Sequence, residues 1–512
     1  MSDKNIVIIR RKNNREISCE TTKSIDVISS KSFIHRALII ASIASGVSKI
    51  SYKGISDDIM ATISALEVMG AKISLNDEKI IIEPISYLNI SDGEKNKYQV
   101  DSKLNYQEST IKRVNCKESG STLRMLLPLA TMLLDDFEFS GDEGLVSRPI
   151  GDLTRALRDV GKVIDSDSLP ITIINRNKNI NFARNDEEVC FNIRGDISSQ
   201  YISGLLLASP LINRRVRVNV IGGFESKPYV NLSVDIMSKC GVEVKEVSGK
   251  DIRLMDNSIE KKLYRLGEGS NSEGISNISG KEINSTNNYF IGNNKAFNSN
   301  EIIKSYILNP GQSYSSFDIK AQGDWSNASF LLALGAIYKG VRIKGLDIES
   351  SQGDKIIIDI LNKYGAKVEI KESYIEVSPA DKSPLEVDIS DTPDMLPVLS
   401  ILAIFTEGES FFTGIDRLRI KESDRIESVI KMLESFGARV RLEGGKMIII
   451  GGDLRSVDTY EVDSFNDHRI VMAASIAASI LNGQVKIKGA RAVNKSYPTF
   501  FEDLMVFGFD IR

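Results

Sequence analysis

Six times along the chain a stretch opens on small or polar residues, becomes almost wholly apolar, and closes on a turn and a β-branched strand pattern. Three of these are "SSKSFIHRALIIASIASGVSKISYKG" from Ser29, "ESGSTLRMLLPLATMLLDDFEFSGD" from Glu118 and "SSQYISGLLLASPLINRRVRVNVIGG" from Ser198. The others are "GDWSNASFLLALGAIYKGVRIKGL" from Gly323, "DTPDMLPVLSILAIFTEGESFFTGI" from Asp391 and "NDHRIVMAASIAASILNGQVKIKGA" from Asn466. Each is followed by a second, amphipathic helix pattern that leads into another strand. These second patterns cover 57–75, 150–164, 229–244, 354–370, 423–442 and a shorter 499–511. Apolar positions recur at the helical period in the helices and alternate in the strands, so each unit reads as helix–strand–helix–strand. The first helices are apolar on nearly every face, as in Leu205–Ala208 and Ala473–Ile480, and so belong inside the molecule. The pattern predicts an α/β protein of two similar domains, three units each, with buried inner helices surrounded by sheets.

The longest spacing between units falls between the third and fourth, where "GSNSEGISNISGKEINSTNNYFIGNNKAFNSN" (269–300) is rich in Asn, Ser and Gly and has no period. Residues 255–303 read as a polar surface insertion, and 89–113 as a second, weaker one. "GEGSNSEG" neither follows a clear strand nor opens a helix, so it reads as linker rather than phosphate loop.

Charge changes the picture at the helix starts. Lys31 and Arg36 open the first inner helix, Arg124 the second and Arg469 the sixth. Arg148, Lys227, Lys355, Lys421, Arg425 and Lys495 sit at or just before outer-helix starts. A helix N-terminus already carries positive partial charge, so a cation there is disfavoured unless an anion lies between them. Helix N-termini and Arg or Lys forks together favour phosphate and carboxylate ligands. Ser32, Ser121, Ser198, Ser199 and Ser226 cluster at the same ends, as N-caps or as donors to phosphate oxygens. The placement points to a small polyanion held where the units converge. The competing reading pairs these cations with nearby Asp142, Glu143, Asp152 and Glu225, and makes the charge run "RLRIKESDRIES" (417–428) a solvated face.

Composition narrows the classes. A chain of 512 residues with 42% hydrophobic and 26% charged positions is ordinary globular protein, long enough for more than one core. A net charge of −4 argues against nucleic acid or an anionic membrane as the main partner. No apolar run nears the roughly 18 residues of a membrane span, and the opening "MSDKNIVIIRRKNN" lacks a signal-peptide core. Cys19, Cys116, Cys190 and Cys240 form no CxxC pair, which fits free thiols in a reducing cytoplasm. The only two histidines, His35 and His468, cannot furnish a His-rich metal site.

"SKSFIHRAL", "ESGSTLR", "RPIGDL", "SSQY", "SKPY", "GDWSNASF", "TPDMLP", "KESDR", "NDHR" and "NKSYP" resemble, in order and over nearly the whole chain, the 5-enolpyruvylshikimate-3-phosphate (EPSP) synthase family. The resemblance implies two domains of three βαβαββ units each, the enolpyruvyl transferase fold, closing on substrate. It places residues 1–29 with 322–512 in one domain and 30–321 in the other. The implied activity moves the enolpyruvyl group of phosphoenolpyruvate onto the 5-hydroxyl of shikimate 3-phosphate by addition and elimination, releasing phosphate. It implies a cytoplasmic monomer that needs no metal or organic cofactor, in the route to chorismate and the aromatic amino acids. Carried over by motif, Ser198, Ser199, Ser226 and Lys31 hold the shikimate phosphate and its surroundings, while Ser32, Arg36, Tyr229 and Gln200 position shikimate phosphate or bound intermediate. Arg148, Arg425, Arg469 and Lys495 bind phosphoenolpyruvate with the Gly120–Ser121 backbone, joined by Lys31, Gln200 and His468, and Arg124 supports that loop.

The chemistry of the residue types agrees with that assignment. Addition of an alcohol to an enol ether needs a base at the hydroxyl and an acid at the methylene carbon. Asp394, with Lys421 close by, matches the base; Glu422, assisted by Lys31, matches the acid, although a cluster of cations works against a protonated carboxyl. The chain departs from the family at Glu118, where Asn is frequent; at Arg417, in place of an Asn that contacts shikimate; and at Ile28, in place of a proline. Gly120 is kept, which implies inhibition by glyphosate, the family's phosphoenolpyruvate competitor, in a loop altered at Ser121 and Met125. A UDP-N-acetylglucosamine enolpyruvyl transferase shares fold and chemistry but usually carries a reactive Cys before its Arg-Pro motif, absent from "GDEGLVSRP". RNA 3′-phosphate cyclase needs a nucleophilic His and a nucleic-acid surface. A non-catalytic anion-binding homologue is the remaining alternative.

Overall fold

The computed structural model of the chain describes residues 5–11, 23–86, 111–175, 188–252 and 301–512. Cys19 and most of the expected insertions at 89–113 and 255–303 lie outside the described residues; their ends lead into the strands Lys112–Asn115 and Ile302–Leu308.

The described strands form six four-stranded sheets with one shared topology. In the second unit Lys112–Asn115 runs parallel to Phe137–Ser140. Phe137–Ser140 pairs antiparallel with Ile171–Ile174, which pairs antiparallel with Val163–Ile164. The helix Gly120–Thr131 connects the parallel pair, and the helix Gly151–Asp159 leads to the hairpin, giving a βαβαββ unit. The parallel pair needs a crossover, and the apolar helix supplies it while covering the sheet.

In three sheets one strand comes from a distant part of the chain. Asp318–Lys320 lies parallel to Ser48–Ser51 in the first unit, and Lys23–Asp26 lies parallel to Val341–Lys344 in the fourth. Ile6–Arg11 fills the place between Gln484–Lys488 and Phe509–Ile511 in the sixth. The chain therefore crosses between two bodies of structure twice, near Ser29 and Gly323, which form an isolated bridge with each other. Two large hydrophobic cores follow this division. One runs from Phe33 to Ala321, and the other joins Ile9, Ile25, Val27 and Ile28 to Trp325–Phe509.

The inner helices Lys31–Ser42, Gly120–Thr131, Ser199–Ala208, Trp325–Ile337, Leu396–Ile404 and His468–Ala477 lie in these cores. Every residue of Leu396–Ile404 and all but Ser326 of Trp325–Ile337 are buried, which requires apolar side chains all round. Five of the six start on a polar cap whose side chain accepts a backbone N–H: Ser30, Ser119, Ser198, Asp324 and Asp467. No helix among the described residues is long and apolar enough to cross a membrane.

Gly204 shows how tightly these helices meet. A glycine within a helix costs about 1 kcal/mol relative to alanine. Here a Cβ would lie 2.7 Å from the Arg124 carbonyl oxygen and 2.9 Å from the Met125 Cα. The glycine thus lets Ser199–Ala208 and Gly120–Thr131 approach closely enough to set their N-termini side by side. Gly204→Ala is expected to destabilise the protein by about 1–3 kcal/mol net, because backbone overlap outweighs the propensity gain. Urea unfolding checks this: a lowered midpoint is the expected result, and an unchanged or raised midpoint contradicts close packing at this position.

Candidate active site

The helix N-termini converge on one cavity between the two cores. Its wall includes Lys31, Ser32, Arg36, Gly120, Ser121, Arg124, Arg148, Ser198, Ser199, Gln200, Ser226 and Tyr229 from the first three units. From the later units it receives Asp394, Lys421, Glu422, His468 and Arg469. Asp58, Ile197, Arg417 and Ile420 complete it.

Local structure explains how each group is aimed. Lys31 opens its helix with its backbone N–H donating to Asp324 Oδ2 (2.9 Å), and its Nζ bonds Asp58 (2.7 Å). Gln200 joins two neighbouring helix starts: its Nε2 donates to Ser121 Oγ (2.7 Å) and its Oε1 accepts from Arg124 Nη1 (3.1 Å). At Gly120 a Cβ would approach Arg148 Nη1 to 3.1 Å, so the glycine leaves space for that guanidinium. Ser226 precedes the helix Lys227–Lys239 at φ 54°, and its side chain does not cap that helix. Arg36 is fully engaged by protein, bonding Ser233, Ser203 and the carbonyls of Ser32 and Tyr229 (2.7–3.2 Å). Burial pulls its pKa down to about 10, against the opposing effect of Tyr229.

The opposite wall is an ion network. Asp394 accepts from Arg425 Nη1 (2.6 Å) and Arg469 Nη2 (3.0 Å), with Lys421 Nζ at 3.7 Å. Burial opposes ionisation of Asp394, but the charges of Arg469, Lys421 and Arg425 outweigh it and hold the carboxyl far below its usual range. Glu422 pairs with Arg425, and Arg148 Nη1 lies 3.9 Å from its other oxygen. Burial again works against the charge, and Arg425 and Arg148 lead the cations that keep Glu422 ionised. Lys421 is pulled down to about 8, by burial first, with Asp394 opposing. His468 is held well below 6.5 by burial and by the charges of Lys31 and Arg469, so its ring is neutral at pH 7. Neither ring nitrogen has a hydrogen-bond partner, leaving one donor and one acceptor for a ligand.

Two cations lie off the cavity wall. Arg425 is completely buried behind it, engaged through Nε by Asp467 (2.9 Å) and through its other nitrogens by Asp394 and Glu422. Lys495 pairs with Glu118 and donates to the carbonyl of Asn466 (2.6 Å). Glu118 also accepts from Asn466 Nδ2 (2.9 and 3.0 Å), so its charge is met by Lys495 and its oxygens are hydrogen-bonded across the cleft. The sequence reading overlooked Asp58 and the hub Asp467. Asp58 stands in the acidic start of the helix Asp57–Met69, where a dipole argument alone suffices. Asp467 reads as an N-cap, which it also is.

The six helix–sheet units and this cleft define the enolpyruvyl transferase class. The EPSP synthase of Acinetobacter baumannii superposes with a TM-score of 0.68 at 20% identity over 99% of both chains. The enolpyruvyl transferase NikO of Streptomyces tendae gives 0.63 at 13% identity over 99% of this chain and 98% of that one. Within the class, residues 16–262 and 270–504 match the family model for EPSP synthase (3-phosphoshikimate 1-carboxyvinyltransferase), and the chain belongs to that family. It is 33% identical over 487 residues to the 3-phosphoshikimate 1-carboxyvinyltransferase of Clostridium kluyveri, covering 94% of each. With those of Clostridium novyi and Methanocorpusculum labreanum it shares 32% and 30%, the former over 97% of each chain and the latter over 94% of this chain and 95% of that one.

Lys421 is expected to titrate near pH 8 in the free protein, rather than at the usual 10.5. The ε-carbon resonance of labelled lysine, assigned by its loss in Lys421→Arg, checks this. A midpoint above 10 contradicts the buried, cation-crowded setting.

Proposed function

We propose that this chain transfers the carboxyvinyl group of phosphoenolpyruvate to the 5-hydroxyl of shikimate 3-phosphate, with its cleft residues acting as their motifs imply. The observation that carries the reading is that Lys31, Arg148, Lys421 and Arg469, from both halves, line one cavity with the carboxylates Asp58, Glu422 and the ionised Asp394. Protein carboxylates meet part of this positive charge (Asp58 at Lys31, Asp394 at Lys421 and Arg469), and the helix N-termini beside it favour the phosphate and carboxylate groups of two phosphorylated substrates.

In this reading Ser198, Ser199 and Ser226 donate to the phosphate of shikimate 3-phosphate, with Lys31, Ser32, Tyr229 and Gln200 around the ring. Arg36 acts from behind by fixing the backbones of Ser32 and Tyr229. Arg148, Arg469, His468 and the Gly120–Ser121 N-terminus receive phosphoenolpyruvate, and Lys495 joins them when Glu118 releases it. Arg425 acts through Asp394 and Glu422, two of the three carboxylates it holds. Asp394, with Lys421, accepts the proton of the 5-hydroxyl as its oxygen bonds C2 of phosphoenolpyruvate. Glu422 delivers a proton to the C3 methylene, with Lys31 assisting, which gives a tetrahedral intermediate. Loss of a C3 proton and cleavage of the C2–O bond to phosphate then regenerate the enol ether and free phosphate.

Glu422 is ionised without ligand. Its role as acid requires that the incoming phosphate and carboxylate engage Arg148 and neighbouring cations, which lifts the carboxyl pKa. The lobes 1–29 with 322–512 and 30–321 close on the substrates in this scheme. The cross-cleft contacts Tyr229 OH to Asp354 (3.2 Å) and Lys31 N to Asp324 (2.9 Å) support that reading.

Purified protein given both substrates is expected to release inorganic phosphate, with none when either is omitted. Asp394→Asn is expected to lower kcat by about 100-fold or more while the protein stays folded. Absence of phosphate release by the unaltered protein sinks the proposal, and near-normal turnover by the variant removes Asp394 from the chemistry.

A further inference from the structure

Arg417 is a cavity-wall cation to which the scheme above gives no task. It sits in the short 3-10 turn Asp416–Ile420, ahead of Lys421, yet the residue is only 8% exposed. Nη2 donates to Ser226 Oγ across the cleft (2.7 Å), and Nε lies 3.2 Å from Glu225 Oε2 in an ion pair without an aligned hydrogen bond. Nη1 is buried and has no hydrogen-bond partner. The other acids around it are committed elsewhere: Asp196 to Arg194 (2.6 and 3.0 Å), Asp394 to Arg425 and Arg469. A buried guanidinium N–H left unpaired is unfavourable, so an acceptor is missing at this point of the wall.

We infer that Arg417 is an added phosphate ligand in this chain, donating through Nη1 and Nη2 to the 3-phosphate of the shikimate substrate beside Ser226. The inference rests on the substrate reading above. The chemistry suits the position: a planar fork with two parallel N–H groups matches a phosphate, and Ser226, already bonded to Nη2, stands at a helix start. Glu225 balances part of the Arg417 charge from the Nε side and leaves Nη1 unpaired. An Asn at 417 would be too short to span from the 3-10 turn to Ser226 and would bring no charge. Arg417 therefore discriminates for the phosphorylated ring over the unphosphorylated one.

Calorimetric binding to the whole protein tests this with shikimate 3-phosphate and with shikimate, which lacks the phosphate. Arg417→Met is expected to weaken shikimate 3-phosphate binding by about 10- to 100-fold, the worth of a charge-assisted hydrogen bond or two. Its shikimate affinity is expected to stay within threefold of the unaltered protein. Arg417→Lys should recover part of the loss, because the charge remains while the fork does not. Glu225→Gln serves as the control for a purely structural tie across the cleft and is expected to leave shikimate 3-phosphate binding intact. Equal weakening of both ligands in Arg417→Met, or a loss in Glu225→Gln matching it, overturns the proposal and makes Arg417 a strut. Failure of the unaltered protein to bind shikimate 3-phosphate overturns it as well. Binding without phosphate release in the presence of phosphoenolpyruvate overturns only the catalytic reading and leaves this one standing.

Discussion

The site depends on a guanidinium that no solvent reaches. Arg425 opens the helix Arg425–Ser435, where a cation faces the positive end of the dipole, and it is completely buried there. Desolvating such a charge costs several kcal/mol, which only good geometry with counter-ions offsets. Three carboxylates meet it: Asp467 from the cap of the next inner helix, Asp394 from the turn Pro393–Met395, and Glu422 from its own approach loop. One side chain thus ties together three segments; it leads the cations that keep Glu422 charged and joins Arg469 and Lys421 in keeping Asp394 charged.

Electrostatic consequences spread outward from that hub. Asp394 holds Arg469 and draws Lys421, whose burial still brings it to about 8. Burial, and then the charges of Lys31 and Arg469, keep the His468 ring neutral, and neither of its nitrogens has a hydrogen-bond partner. Contacts across the cleft reuse wall residues or their neighbours: Lys31 with Asp324, Tyr229 with Asp354, Ser226 with Arg417, and Glu118 with Lys495 and Asn466. These contacts are polar, and a charged ligand competes for or adds to each. In the proposed scheme, ligand binding and the approach of the two halves are coupled through these same atoms.

Much of this was legible in the chain. Alternation of periods marked all six inner and all six outer helices, and the apolar faces of Leu396–Ile404 and Trp325–Ile337 required burial. Cations at helix starts pointed to an anion site, and the motifs to the family that the comparisons establish. Long-range pairing was not legible locally. Nothing in Lys23–Asp26 says that it lies beside Val341–Lys344, or in Ile6–Arg11 that it completes the last sheet. The depth of Arg425 was also hidden, because a charge run reads as a solvated face until its counter-ions are known. Glu118 and Lys495 stand far apart in sequence, so their mutual neutralisation had to await the fold.

A double-mutant cycle on Arg425 and Asp467 tests the hub most directly. Arg425→Met leaves three carboxylates without their buried partner, and Asp467→Asn removes one counter-ion. Equilibrium urea unfolding is expected to show losses of about 3–5 kcal/mol for Arg425→Met and somewhat less for Asp467→Asn. The double variant should lose less than the sum of the two by about 2 kcal/mol or more. Strictly additive losses, or an Arg425→Met protein as stable as the unaltered one, would contradict a structure organised around this buried charge.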